Sequence, residues 1–184
     1  MNILLIVLGV ILLFIFIFVG KYNKLVRLRN DAKEGFSTMD VYLKKRFDLI
    51  PNLVETVKGY ANHEKETLEN VIQARNQVQS AQTQEEEMKA NNMLSDTLKS
   101  LFAVSENYPD LKANQNFIKL QDDLNQIELD IANSRKFYNA TVKEFNNNVE
   151  TFPNNIIASM FNFKAMPMYE ITNEQERENV KVSF

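Results

Sequence analysis

Cysteine and tryptophan are absent from this chain of 184 residues, histidine occurs once, and glycine and proline occur four times each. Without cysteine there is no disulfide, thiol nucleophile, thiolate metal site or lipidated N-terminal cysteine. A single histidine, His63, rules out motifs that need two. Four residues beyond it stands Thr67 rather than the second histidine of a zinc-protease helix, and the paired Glu-x-x-His of a di-iron bundle cannot be completed. Neither a G-x-G-x-x-G string nor a P-loop occurs, and no nucleophile elbow is on offer for a Ser-His-Asp arrangement. His63 therefore reads as a surface residue, and no catalytic, cofactor-binding or metal site is expected. The chain is expected not to be an enzyme and to need no cofactor.

Charge is missing from the first twenty residues, which hold none of the 21 basic and 24 acidic side chains. Residues 3–20 are wholly apolar apart from two glycines, and as a helix they reach about 27 Å, close to the ~30 Å hydrocarbon core of a bilayer. No proline disturbs the backbone ladder that a bilayer-spanning helix must complete within itself. A cleaved signal peptide is the poorer reading, because there is no basic leading region and no A-x-A-like site follows. Lys21, Lys24, Arg27, Arg29 and Lys33 come directly after the run. Under the positive-inside rule the N-terminus of this single-pass protein is expected to face out and the body to stay cytoplasmic. The body is mildly acidic and shows no basic face of the kind nucleic acid requires, so the expected partner is the lipid bilayer and not a nucleic acid.

Scarce glycine and proline suit long helices. Tyr22, Leu25, Val26, Ala32, Phe36, Met39, Leu43 and Phe47 form one helical stripe. Ile50, Val54, Val57, Ala61, Glu64, Leu68, Val71, Arg75 and Val78 form a heptad-like seam. Pro51 separates them, and the residue before a proline disfavours helical geometry. The apolar phase runs on through Pro51 without a slip, which leaves one kinked helix as the alternative, but the near-equal arms 21–49 and 51–80 favour a hairpin. Thr83 and Glu86 have the spacing of a capping box for a third helix. Its inward residues are Met88, Leu94, Leu98, Leu101 and Phe102, while Asn91 and Asn92 weaken its first half. Pro109 suits the first position of a fourth helix, whose broad apolar face runs from Phe117 to Val149. The expected fold is all-α: an N-terminal transmembrane helix over 1–20, then an antiparallel up-down-up-down four-helix bundle over 21–151.

Glu64, Arg75, Glu128 and Arg135 interrupt otherwise apolar seams and are buried-ion candidates. A lone buried charge costs several kcal/mol, so such residues are expected in pairs. Parallel second and fourth helices would match Arg75 with Glu128; antiparallel ones would match Glu64 with Arg135. Register specification inside the bundle is the favoured role, with a polar partner-binding notch as the alternative. After the bundle comes an apolar segment over 152–168. It is either a cap on the open end of the core or an interfacial segment dipping into lipid. With the basic residues after the anchor, its Phe152, Ile156, Ile157, Met160, Phe161 and Phe163 are the membrane-interface candidates. Residues 169–184 read as a polar tail, poorly ordered.

Several strings carry a family resemblance: Tyr22-Asn23-Lys24-Leu25-Val26, Arg46-Phe47-Asp48-Leu49-Ile50-Pro51-Asn52-Leu53-Val54, Val57-Lys58-Gly59-Tyr60-Ala61-Asn62-His63-Glu64, Tyr108-Pro109-Asp110-Leu111-Lys112-Ala113, Arg135-Lys136-Phe137-Tyr138-Asn139 and Phe152-Pro153. In order and spacing, from the anchor to about Phe163, the chain resembles the LemA family. The resemblance implies a bacterial membrane protein with one N-terminal span, a four-helix body and an unsettled biochemical role. One relative takes part in building magnetosome membranes and others occur alongside membrane proteases, but neither activity attaches to a residue here. The expected function is a non-enzymatic membrane scaffold that binds unidentified membrane-associated proteins, a membrane protease among the candidates, or copies of itself. The alternative is a membrane-shaping or lipid-sensing module acting through the juxtamembrane basic residues and the Phe/Met segment.

Overall fold

The computed structural model describes residues 2–61 and 63–170; of the polar tail expected over 169–184 to be poorly ordered, the part from 171 onward lies outside the described residues. Among the described residues there are six helices and no strand: α1 (Asn2–Lys58), α2 (Lys65–Ser80), α3 (Gln84–Ser105), α4 (Pro109–Lys112), α5 (Gln115–Glu150) and α6 (Asn154–Met160). The class is all-helical, as expected. The division into helices differs at two points.

The first correction concerns Pro51, which lies inside α1 and makes no hairpin. The helix continues to Lys58 and turns only at Gly59 and Tyr60. An interior proline costs about 3 kcal/mol or more, because it removes one backbone bond and crowds the carbonyl four residues back. Here Pro51 faces solvent, whereas Ile50, Leu53, Val54 and Val57 around it are buried. Ending the helix at Leu49 would forfeit four core side chains, each contributing about 1.5–3 kcal/mol. The carbonyl that Pro51 cannot serve belongs to Phe47, and Arg75 of α2 takes over: its Nε–H donates to Phe47 O at 3.4 Å. The same guanidinium carbon lies 4.0 Å from the Phe47 ring centroid, within cation–π range.

The second correction is at Pro109, which opens only the single turn of α4. The long helix starts at Gln115, where the Asn114 side chain accepts from the Phe117 backbone N–H at 3.0 Å and so caps it. The capping box of α3 closes as its spacing predicts. Thr83 Oγ1 accepts from Glu86 N at 3.2 Å, and Glu86 Oε2 accepts from Thr83 N at 3.4 Å.

The described residues divide into two compact units, one built from the chain up to Thr38 with Ser134–Met168, the other from Met39–Asn133 with Tyr169 and Glu170. In the second unit a core forms from Ile50, Leu53, Val54 and Val57 of α1, Leu68, Val71 and Ala74 of α2, Leu94, Leu98 and Leu101 of α3, and Phe117 and Leu124 of α5. Arg46 faces Glu128 and Tyr60 faces Asn114. Moving forward along α1 thus means moving back along α5, so these segments are antiparallel. Tyr169 is buried in this unit, and the Glu170 carbonyl accepts from Asn92 Nδ2 at 2.8 Å.

In the first unit Phe36 meets Tyr138 edge-on at 5.6 Å between ring centroids. Gly35 allows that approach, since a Cβ there would stand 3.3 Å from the Tyr138 Cα. The Tyr138 hydroxyl is satisfied by donating to Pro167 O at 2.7 Å.

If Arg75 substitutes for the missing amide of position 51, the two residues are energetically coupled. Arg75→Ala should cost about 0.5–1 kcal/mol more in the native chain than in a Pro51→Ala background, where an amide again serves Phe47 O. Thermal or urea melts of the four proteins of this cycle measure it, and zero coupling refutes the assignment.

Candidate functional site

Two places in the fold concentrate side chains that packing alone does not account for. The first is the base of the first unit. There Leu25 and Leu28 of α1, Phe145 of α5, and Ile157, Ala158 and Phe163 make a small core, with Phe18, Tyr22, Val26, Val149 and Met166 packed against it. The local sequence explains how the chain folds back. α6 ends in a Schellman motif: Asn162 adopts φ 56°, Asn162 N donates to Ser159 O at 3.4 Å, and Phe163 N donates to Ala158 O at 2.9 Å. Asparagine tolerates this left-handed conformation, and the motif commonly turns a hydrophobic residue at the next position inward. Phe163 is that residue. It stacks edge-on against Tyr22 at 5.9 Å and Phe145 at 6.4 Å, and the Arg29 guanidinium lies 4.9 Å from its centroid. Asn146 then clamps the following chain through both amide groups, donating to Met166 O at 2.9 Å and accepting from Met166 N at 2.8 Å.

The segment expected either to cap the core or to face lipid thus divides its residues. Ile157 and Phe163 are buried. Phe152, Ile156, Met160 and Phe161 are exposed, at 79, 53, 65 and 47%. Of the basic residues after the apolar run, Lys24, Arg27 and Lys33 are exposed, Lys21 is half-buried, and Arg29 is half-buried over Phe163. The apolar run itself is exposed at every large residue from Ile3 to Ile17 and at Val19.

The second place is a buried cation in the other unit. Arg46 is 0% exposed. Its Nη1 donates to Glu128 Oε1 of α5 at 2.7 Å and to Ser95 Oγ of α3 at 2.6 Å; its Nη2 donates to Asn91 Oδ1 at 2.6 Å and Asn91 O at 3.1 Å. Ser95 Oγ also donates to Glu128 Oε2 at 3.3 Å, and Asn91 Nδ2 is held by Glu87 O at 2.9 Å. A guanidinium out of water requires acceptors on several of its donors, and α3 and α5 supply four oxygens. Glu128 keeps 35% of its side chain exposed, so the pair is sealed at the arginine end and wet at the carboxylate end.

Among the four seam charges, only Glu128 enters this network. Arg75 serves Phe47 instead. Glu64 is half-buried and accepts from the Tyr108 hydroxyl at 2.7 Å, a bond that raises the tyrosine's pKa. Arg135 is half-buried in the first unit. Arg46 had a signal of its own: it stands three residues after Leu43 and four before Ile50, on the same seam. Carrying the stripe through Phe47 hides it. Asn91, which looks like a helix weakener in isolation, is a principal acceptor.

Glu87 lies beside Asp40 in a groove of about 240 Å³ that Phe47, Val78 and Asn91 help to line. Burial first, and the Asp40 charge second, hold the Glu87 carboxyl above its ordinary pKa.

Compared with known proteins, residues 35–184 match the sequence model of the LemA family. A similar curated relative is Protein LemA of Metamycoplasma hominis, 26% identical over 174 residues, an alignment covering 93% of this chain and 78% of the relative.

The uneven exposure of the pair orders its mutants. Glu128→Gln leaves a fully buried cation without its counter-ion and should cost about 3–5 kcal/mol. Arg46→Met leaves a carboxylate that reaches water and should cost less. Denaturant melts decide, and the reverse order would show that Glu128 is not what compensates Arg46.

Glu87 sets a pH dependence. A raised acid pKa means the folded state holds the proton more tightly, so its contribution is present below the unfolded value and is lost as pH rises through the folded value. Glu87→Gln should flatten the fall in stability between about pH 4 and pH 7. An unchanged slope in melts across that range contradicts it.

Proposed function

This chain belongs to the LemA family, and from that premise we propose that it is a single-pass, membrane-anchored helical scaffold of a bacterial inner membrane. It carries no catalysis and binds protein partners, or further copies of itself, at the membrane surface. The observation that carries this reading is the composition of α1. One helix, Asn2–Lys58, begins with an exposed apolar run long enough to cross a bilayer and continues into side chains that build the core of the body. An exposed run of that length is costly in water and favourable in lipid. It is followed by Lys21, Lys24, Arg27, Arg29 and Lys33, which favour a cytoplasmic body with the short N-terminus outside. The non-enzymatic reading rests on a sequence with one histidine, no cysteine and none of the phosphate- or nucleophile-bearing motifs. The four helices contributing to the core around Leu94 and Leu124 suit the four-helix bundle as the body's architecture.

The test uses the full chain tagged at its C-terminus in bacterial cells. The native protein should fractionate with membranes and resist alkaline extraction, and deletion of residues 3–20 should release it. Crosslinking in cells should capture a partner protein or a second copy. A soluble native chain removes the anchor; a membrane-bound chain that yields only uncrosslinked monomer removes the scaffold.

A further inference from the structure

The outer face of α6 has no protein covering within its own unit, although its inner face is firmly packed. Ile156 and Met160 stand one helical turn apart and so share one side of α6; both are exposed, as are Phe152 in the turn before the helix and Phe161 just after it. Opposite them Ile157 and Ala158 are buried, and Asn154 is held to Asn148 Oδ1 at 3.2 Å. The helix therefore cannot roll to hide its apolar side without breaking its seat.

Its level along α1 is set by ring contacts. Phe161 lies 6.0 Å from Phe18 and 4.7 Å from Tyr22 between centroids. Phe18 belongs to the last turn of the uncharged run, and Tyr22 to the first turn after it. α6 is thus fastened where an anchored α1 leaves the hydrocarbon. Charge points the same way. The two stretches that make up this unit contain nine lysines and arginines and four acidic residues, a net of +5. The rest of the chain holds twelve basic and twenty acidic residues, a net of −8.

We propose that α6 is an interfacial foot: Phe152, Ile156, Met160 and Phe161 enter the boundary between headgroups and acyl chains of an anionic bilayer, beside the point where α1 emerges. The inference rests on the anchor reading above and adds a second, non-spanning contact with lipid. Interfacial helices bury their apolar face about 5–10 Å into that boundary, with basic residues at the headgroup level attracted to anionic lipid. Two contacts on one bilayer surface restrict the tilt of the first unit in a way that a single spanning helix does not.

The chain has no tryptophan, so one introduced tryptophan is a clean reporter. The full-length protein is reconstituted into vesicles of mixed phosphatidylglycerol and phosphatidylcholine, with the phosphatidylcholine brominated in the upper acyl chain. Met160→Trp and, separately, Ile156→Trp report the foot, and Phe16→Trp reports the anchor. Phe137→Trp is the control, an exposed residue of the same unit whose ring lies beside Gly35, well beyond the uncharged run. Both foot reporters should be quenched at least about twofold more strongly than Phe137→Trp, as expected for a shallow interfacial position. Quenching of Phe16→Trp with neither foot reporter quenched overturns the foot while leaving the anchor, and assigns the face to a protein contact such as a second copy. No quenching of Phe16→Trp overturns the anchor and the foot together. Equal quenching at Phe137→Trp also overturns the proposal, because the contact is then not confined to α6.

Discussion

A guanidinium that has lost all contact with water must find oxygen acceptors, and Arg46 finds them on α3 and α5. Leucines on a seam tolerate a slip of one turn because one aliphatic contact resembles the next. A planar fork bonded to Asn91, Ser95 and Glu128 does not tolerate it, since each acceptor sits at one height on one helix. Within its unit the network thus fixes the register of α1 against α3 and α5, and the apolar core around Leu53, Leu94 and Leu124 closes in the phase that register allows. The desolvation cost falls on the arginine, which four oxygens compensate, while the partner carboxylate keeps some water.

Arg75 illustrates the same economy at smaller scale. A proline inside α1 leaves the Phe47 carbonyl without its amide, and a side chain from the neighbouring helix supplies the donor while its charged plane lies over the Phe47 ring. Three residues that look unrelated in order along the chain form one repair. In the other unit Asn162 and Asn146 do comparable work. One turns the chain at the end of α6, the other replaces a strand-like pairing for Met166, and together they bring Phe163 into the core while leaving Phe152, Ile156 and Met160 outside. The first helix thus begins with an exposed apolar run, and the last short helix leaves an apolar side uncovered within the same unit.

Much of this organisation was legible before any coordinates. The uncharged run over 3–20, the long helical periodicities, the Thr83–Glu86 capping box and the first-turn role of Pro109 all depend on residues within a few positions of one another, where local physics decides. Pro51 shows where such reasoning fails. The preference of its neighbours against helix is real, but the burial of Ile50, Leu53, Val54 and Val57 outweighs it, and their burial depends on helices far away in sequence. Partner choice among the seam charges is a related case. Glu64, Arg75 and Glu128 are visible as interruptions, yet Glu64 bonds Tyr108, Arg75 bonds Phe47 and Glu128 bonds Arg46, because partner choice depends on the offset between helices rather than on spacing within one. Arg46 was hidden by a stripe that can be drawn through position 46 or 47 almost equally well.

By itself the sequence determined that the chain is helical and that its beginning is apolar over the length of a membrane span; both follow from composition and from contacts within one or two turns. Tertiary structure alone decided that α1 runs through Pro51 to Lys58, that Arg46 rather than Arg75 faces Glu128, and that Ile157 and Phe163 turn inward while Ile156 and Met160 turn out. Each of those choices compares the free energy of packing between distant segments, a quantity no single stretch of the chain contains.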